Sequence, residues 1–147
     1  MDAIRRRELL KPVANPGGAR DYVITLWAER LLLAPAGTTA VLRYVPDRLI
    51  LEPANFETYA LEIGKITWES LEAVAVAILD DIANELVPRW AQVTLRAKSP
   101  NGHEIAIEES QPGWRNEDLI YRRPLSRSIS QSIAHLRHIN AVTPPPV

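Results

Sequence analysis

The sequence predicts an α+β fold in which a four-stranded antiparallel sheet carries two helices on one face. Three observations predict it. Two stretches rich in β-branched and aromatic residues, "DYVITLWAERLLLA" and "TTAVLRYV", are separated only by a short link, which is the pattern of a hairpin. Leu71, Val74, Ile78, Ile82 and Leu86 recur at helical spacing, the stripe of an amphipathic helix. Val93, Leu95 and Ala97 then alternate with Thr94, Arg96 and Lys98, the two-residue period of a half-buried strand.

The elements follow in order. "NPGG", residues 15–18, is a turn that closes an N-terminal arm of unassigned structure,. "APAG" joins the first two strands. Pro46-Asp47 interrupts the ladder, and "RLILE" is expected to resume it after a bulge,. "PANFETYALEI" reads as a short helix opening at Pro53, where proline suits the first helical position. Thr67 is the expected N-cap of the longer helix, with Glu69 in its first turn and Pro88 as its stop,. "SPNG" turns the chain into "HEIAIEE", the fourth strand. The order is therefore ββ-αα-ββ. After Pro124, Leu125, Ile129, Ile133 and Leu136 mark a helical extension over about 124–140, and "TPPPV" reads as a flexible tail at 143–147,. Arg122, Arg123, Arg127 and Arg137 make that extension basic. It is expected to pack on the sheet or on a neighbouring subunit.

A chain of 147 residues suits a single domain, with its core over about 20–110,. Apolar residues make up 46% and charged residues 24%, at a net charge of −1. That balance gives no global attraction to nucleic acid or to an anionic membrane. No apolar run reaches the roughly 18 residues of a membrane span, and no secretory signal is expected at "MDAIRRRELL",. The sequence contains no cysteine, which rules out disulfides, thiolate zinc sites and a cysteine nucleophile and fits a cytoplasmic protein. A four-stranded sheet leaves two strand edges to be covered. A ring-shaped homo-oligomer that closes the sheets into a barrel is one solution, and it places pockets at the subunit seams.

The run "YVPDRLILEPANFETYALEIGK…LEAVAVAILDDIANELVPRW" resembles the middle of the nitrile reductases that convert 7-cyano-7-deazaguanine to its aminomethyl form. Those enzymes belong to the tunnelling-fold (T-fold) superfamily, with GTP cyclohydrolase I and dihydroneopterin aldolase. The family's Y-I-P-D run matches Tyr44-Val45-Pro46-Asp47, its V-E-S-K-S-L-K-L-Y run matches Leu51 to Tyr59, and its D-P-R-Y turn matches Val87-Pro88-Arg89-Trp90. The resemblance implies a T-fold that oligomerises into a β-barrel, with heterocycle sites at subunit interfaces. It places Glu52 and Glu72 on the two glutamates that hold the ring. It also places Ala34-Pro35 on the family's C-P pair, Ser70-Leu71-Glu72 on its F-H-E run and Asn101-Gly102-His103 on its R-G-G cofactor turn. The nucleophile, the histidine and the cofactor turn are thus altered, which disfavours NADPH as a cofactor and nitrile reduction as the activity.

The chemistry of the residues agrees, since attack on a nitrile needs a thiolate and an alanine methyl has no lone pair. A guanine-like edge presents adjacent N–H donors that one carboxylate can accept. Each candidate also has an ordinary role. Glu52 and Glu72 are also what a solvated surface carries, and Trp68 and Trp90 are also what a core or interface anchor looks like. His135 and His138 have an i, i+3 spacing but no accompanying carboxylate signature, so no metal is expected,. His103 and Lys98 are the candidates for acid–base work. The leading expectation is a protein that binds a purine-, 7-deazapurine- or pterin-like ring through Glu52, Glu72 and Trp68, with or without a cysteine-independent reaction. Two alternatives stay open: a non-catalytic oligomeric scaffold or regulatory protein, and a pterin-directed aldolase or cyclohydrolase.

Overall fold

The computed structural model describes residues 1–31, 37–98 and 101–121. In chain order these form α1 (Ala3–Glu8), β1 (Val13–Ala14), β2 (Ile24–Leu31), β3 (Thr38–Val45), β4 (Leu49–Ile50), α2 (Pro53–Gly64), α3 (Leu71–Leu86), β5 (Trp90–Ala97), β6 (His103–Ser110) and α4 (Glu117–Ile120). The chain divides into two units, Met1–Arg115 and Asn116–Val147. In the second, Asn116 caps α4 by accepting from the backbone N–H of Leu119.

The first unit is an α+β layer built on an antiparallel sheet of order β2-β3-β5-β6. The two hairpins meet along β3 and β5, and β2 and β6 are the edges. Alternation sets the register. Leu26 lies opposite Leu42, Leu42 opposite Val93 and Val93 opposite Ile107, which makes one continuous apolar row. A one-residue slip would turn that row to the solvent face. α2 lies against β2, and α3 against β5 and β6. The expected stripe of Leu71, Val74, Ile78, Ile82 and Leu86 is buried in full, together with Phe56, Tyr59 and Ile63 of α2.

Two local expectations are corrected. "RLILE" does not rejoin the main ladder, because Leu49 and Ile50 pair with Ala14 and Val13 in a separate two-stranded sheet. The reason lies in the turn: the Asn15 side-chain amide donates to the Asp47 carbonyl at 2.8 Å, and its backbone N–H donates to the Arg48 carbonyl at 2.9 Å. Arg89 adds donations to the Pro46 carbonyl and the Asp47 carboxylate. The N-cap of α3 is Ser70 rather than Thr67, with Glu72 rather than Glu69 in the first turn. The Ser70 hydroxyl accepts from the Ala73 N–H at 3.1 Å, and Trp68 holds Thr67 and Glu69 in the preceding loop by donating to the Ile63 carbonyl at 2.9 Å.

The N-terminal arm, unassigned from the sequence, contains a helix. Asp2 caps α1, and Arg6 and Arg7 project onto Asp81 of α3. Asp81 is fully buried and accepts from Arg6 Nε at 3.0 Å, Arg7 Nε at 2.9 Å and the Tyr59 hydroxyl at 2.6 Å. Burial works against the Arg6 charge, but its hydrogen bond to Asp81 and the attraction of that carboxylate outweigh it and raise its pKa. Burial, reinforced by the Asp81 charge, pushes the Tyr59 hydroxyl far up, so it stays a donor. The expected helical extension at 124–140, its arginines, His135, His138 and the tail lie outside the described residues, as do Ala34 and most of the first hairpin link.

Candidate functional site

The loop between α2 and α3, the first turn of α3 and the start of β6 enclose a pocket of about 560 Å³, within the range of roughly 300–1,000 Å³ usual for small-molecule sites. Its wall includes Trp68, its apolar lining Leu71 and Val74, and its polar groups Ser70, Glu72 and His103. Sequence position separates these residues, and the packing of α3 on β6 brings them together.

Trp68 is held from two sides. Its indole N–H donates to the Ile63 carbonyl, and the Arg6 guanidinium lies 5.7 Å from the ring centroid, within cation–π reach. Because Arg6 also bonds Asp81, the buried carboxylate is linked through one side chain to the pocket wall.

Glu72 stands at the second position of α3, where helix N-terminal amides favour negative charge,. The hydrogen bond from its own backbone N–H lowers its pKa most, slight desolvation opposes this, and the donation and charge of His103 add to the lowering. His103 Nε2 lies 2.9 Å from Glu72 Oε1. An ionised carboxylate can only accept, so Nε2 carries the proton in this contact. Both side chains keep about half their surface, 47% for His103 and 58% for Glu72, and so remain open to a ligand.

The other candidates fall elsewhere. Glu52 is the N-cap of α2; its side chain makes no capping hydrogen bond, it is exposed, and it does not line this pocket. Lys98 lies one residue past β5, is exposed and also stays out of the lining. Trp90 is a core residue at 2% exposure, its N–H given to Glu108 and its ring 5.3 Å from the Arg43 guanidinium. Sequence reasoning missed Ser70 and Arg6. The signal for Ser70 was present, since serine three residues before an alanine N–H is an ordinary cap. Nothing in "IRRRE" distinguishes Arg6 from its neighbours.

No family profile matches the chain. Over 115 residues it is 30% identical to the NADPH-dependent 7-cyano-7-deazaguanine reductase of Syntrophus aciditrophicus, covering 71% of this chain and 80% of that protein. The chain belongs to this reductase family. The reductase of the same name from Acidithiobacillus ferrooxidans is 26% identical over 134 residues, 86% of this chain and 94% of that protein. The one from Chlorobium phaeobacteroides is 26% identical over 115 residues, 73% and 97%. Leu71 is 9% exposed and belongs to the core cluster. The chain has no cysteine at any position.

Proposed function

We infer that this member of the reductase family binds a guanine-like, 7-deazaguanine-like or pterin-like ring in the Trp68–Glu72 pocket and does not reduce a nitrile. The observation that carries this is the ionised Glu72 carboxylate at the mouth of a small-molecule-sized pocket walled by Trp68, in a chain without cysteine. The carboxylate accepts the ring N–H groups and the indole packs against the ring. Without a thiolate no covalent adduct forms on a nitrile carbon, so NADPH has no intermediate to reduce and is not expected as a cofactor. Glu52, on the family's other glutamate, would reach the ring only from a neighbouring subunit. That requires the T-fold ring in which β2 and β6 edges pair between copies.

Calorimetry with guanine, 7-deazaguanine and pterin tests the reading. Glu72→Gln removes the charge and turns one of its two acceptors into a donor, for an expected loss of roughly 5- to 150-fold in affinity. Binding should survive acidification to pH 5 and fail only as the pH falls below the ordinary carboxylate value of 4.5, because the folded Glu72 titrates lower still. Light scattering should report a ring oligomer, and NADPH should not be consumed with 7-cyano-7-deazaguanine. Absence of ring binding by the wild type, or equal binding by Glu72→Gln, sinks the reading.

A further inference from the structure

His103 brings an imidazole to the mouth of this pocket. It is the first residue of β6 and reaches Glu72, 31 residues earlier in the chain, across the α3–β6 contact. In the free protein the pair satisfies itself: His103 Nε2–H donates and Glu72 Oε1 accepts at 2.9 Å. Between them the two side chains carry one donor, His103 Nε2–H, beside two acceptors, Glu72 Oε1 and Oε2.

The complement of that pattern is an acceptor followed by two donors. A lactam carbonyl beside a ring N–H and an exocyclic amino group has this sequence, as in guanine and in 2-amino-4-oxopterin. An adenine-type edge does not, because its ring nitrogen is an acceptor flanked by C–H and by the amino group. We propose that His103 is a specificity-determining residue that donates to the ring carbonyl while Glu72 accepts the neighbouring N–H groups. The inference rests on the ring-binding reading above. When such a ring enters, the internal Nε2–H···Oε1 bond is exchanged for bonds to the ring, and no polar group of the pair is left without a partner. An unmatched ring would leave the imidazole donor or a carboxylate oxygen facing a like group, which is where selection comes from.

The test measures tryptophan fluorescence quenching by guanine and by 6-thioguanine, which keeps both N–H donors and replaces the carbonyl oxygen with a weaker acceptor. Wild type should favour guanine over 6-thioguanine by roughly 2- to 12-fold, the span of one hydrogen bond. In His103→Ala that preference should fall to about one, and His103→Gln, which keeps an N–H donor, should recover part of it. The larger sulfur is present in every comparison, so the change in preference isolates the imidazole. Both side chains are half exposed, so the variants should fold, which circular dichroism checks. An unchanged preference in His103→Ala overturns the proposal while leaving Glu72-dependent ring binding intact. Tighter guanine binding by His103→Ala also overturns it, because His103 would then be a competitor for Glu72. If neither ring binds the wild type, the ring-binding reading and this proposal fall together.

Discussion

Asp81 offers the sharpest test of how the site is supported. Its side chain has no exposed surface and accepts from Arg6, Arg7 and Tyr59, while the two arginine side chains are only 13% and 25% exposed. Asp81→Ala leaves two guanidiniums and a buried phenol facing a methyl group. Removing one partner of a buried ion pair costs about 3–5 kcal/mol. The loss has a natural ceiling, because the six-residue α1 buries no residue of its own and is too short to persist alone. It can detach and carry its arginines to water, though the Tyr59 hydroxyl stays buried without an acceptor, at about 1–3 kcal/mol. For a chain of this size the total corresponds to a fall in Tm of roughly 6–20 °C. Urea unfolding followed by tryptophan fluorescence measures the loss, and limited proteolysis reports release of α1. Tyr59→Phe, which removes only the hydroxyl, should lose about 1 kcal/mol. A loss below about 1 kcal/mol for Asp81→Ala would refute the reasoning, since the carboxylate would then not be what holds the arginines.

Other expectations follow from single contacts. The Tyr44 hydroxyl accepts from the Leu51 N–H at 2.8 Å, and burial pushes its pKa up from 10 to about 12. The folded state therefore keeps the proton that the unfolded chain gives up, so stability is intact below pH 10 and declines between pH 10 and 12, which alkaline unfolding curves measure. Ser70→Ala removes the α3 cap and should cost about 1 kcal/mol in urea unfolding, whereas Thr67→Ala, one turn earlier in the exposed loop, should cost far less. Val87 ends α3 at φ 44° and ψ 54°, a left-handed conformation that a β-branched residue tolerates poorly,. Val87→Gly should raise stability by about 0.5–1 kcal/mol, visible as a Tm higher by roughly 1–4 °C.

The order of elements was legible in the sequence because each main element announces itself through a local period. β3 occupies Thr38–Val45, the bounds its β-branched run suggested, and the α3 stripe is buried residue for residue. Composition alone settled the absence of a thiol. The tertiary structure decided the rest, because those decisions depend on which surfaces meet. β4 reads as a continuation of the main ladder, yet it pairs with β1 because Asn15 and Arg89 fix the intervening turn. Asp81 falls at the helical spacing of the apolar stripe, three residues after Ile78, and the sequence contains that anomaly. Its arginine partners, however, come from 74 and 75 residues away, beyond the reach of any local pattern. The same limit applies to the site. Glu72 could be picked out by its helix position and its family run, but its pairing with His103 and the Arg6 contact on Trp68 come from the packing of α1, α3 and β6, while Glu52 sits at the opposite end of α2 from the pocket-lining Gly64. Local periodicity reports which face of an element is apolar, and only packing determines which polar side chains share a pocket.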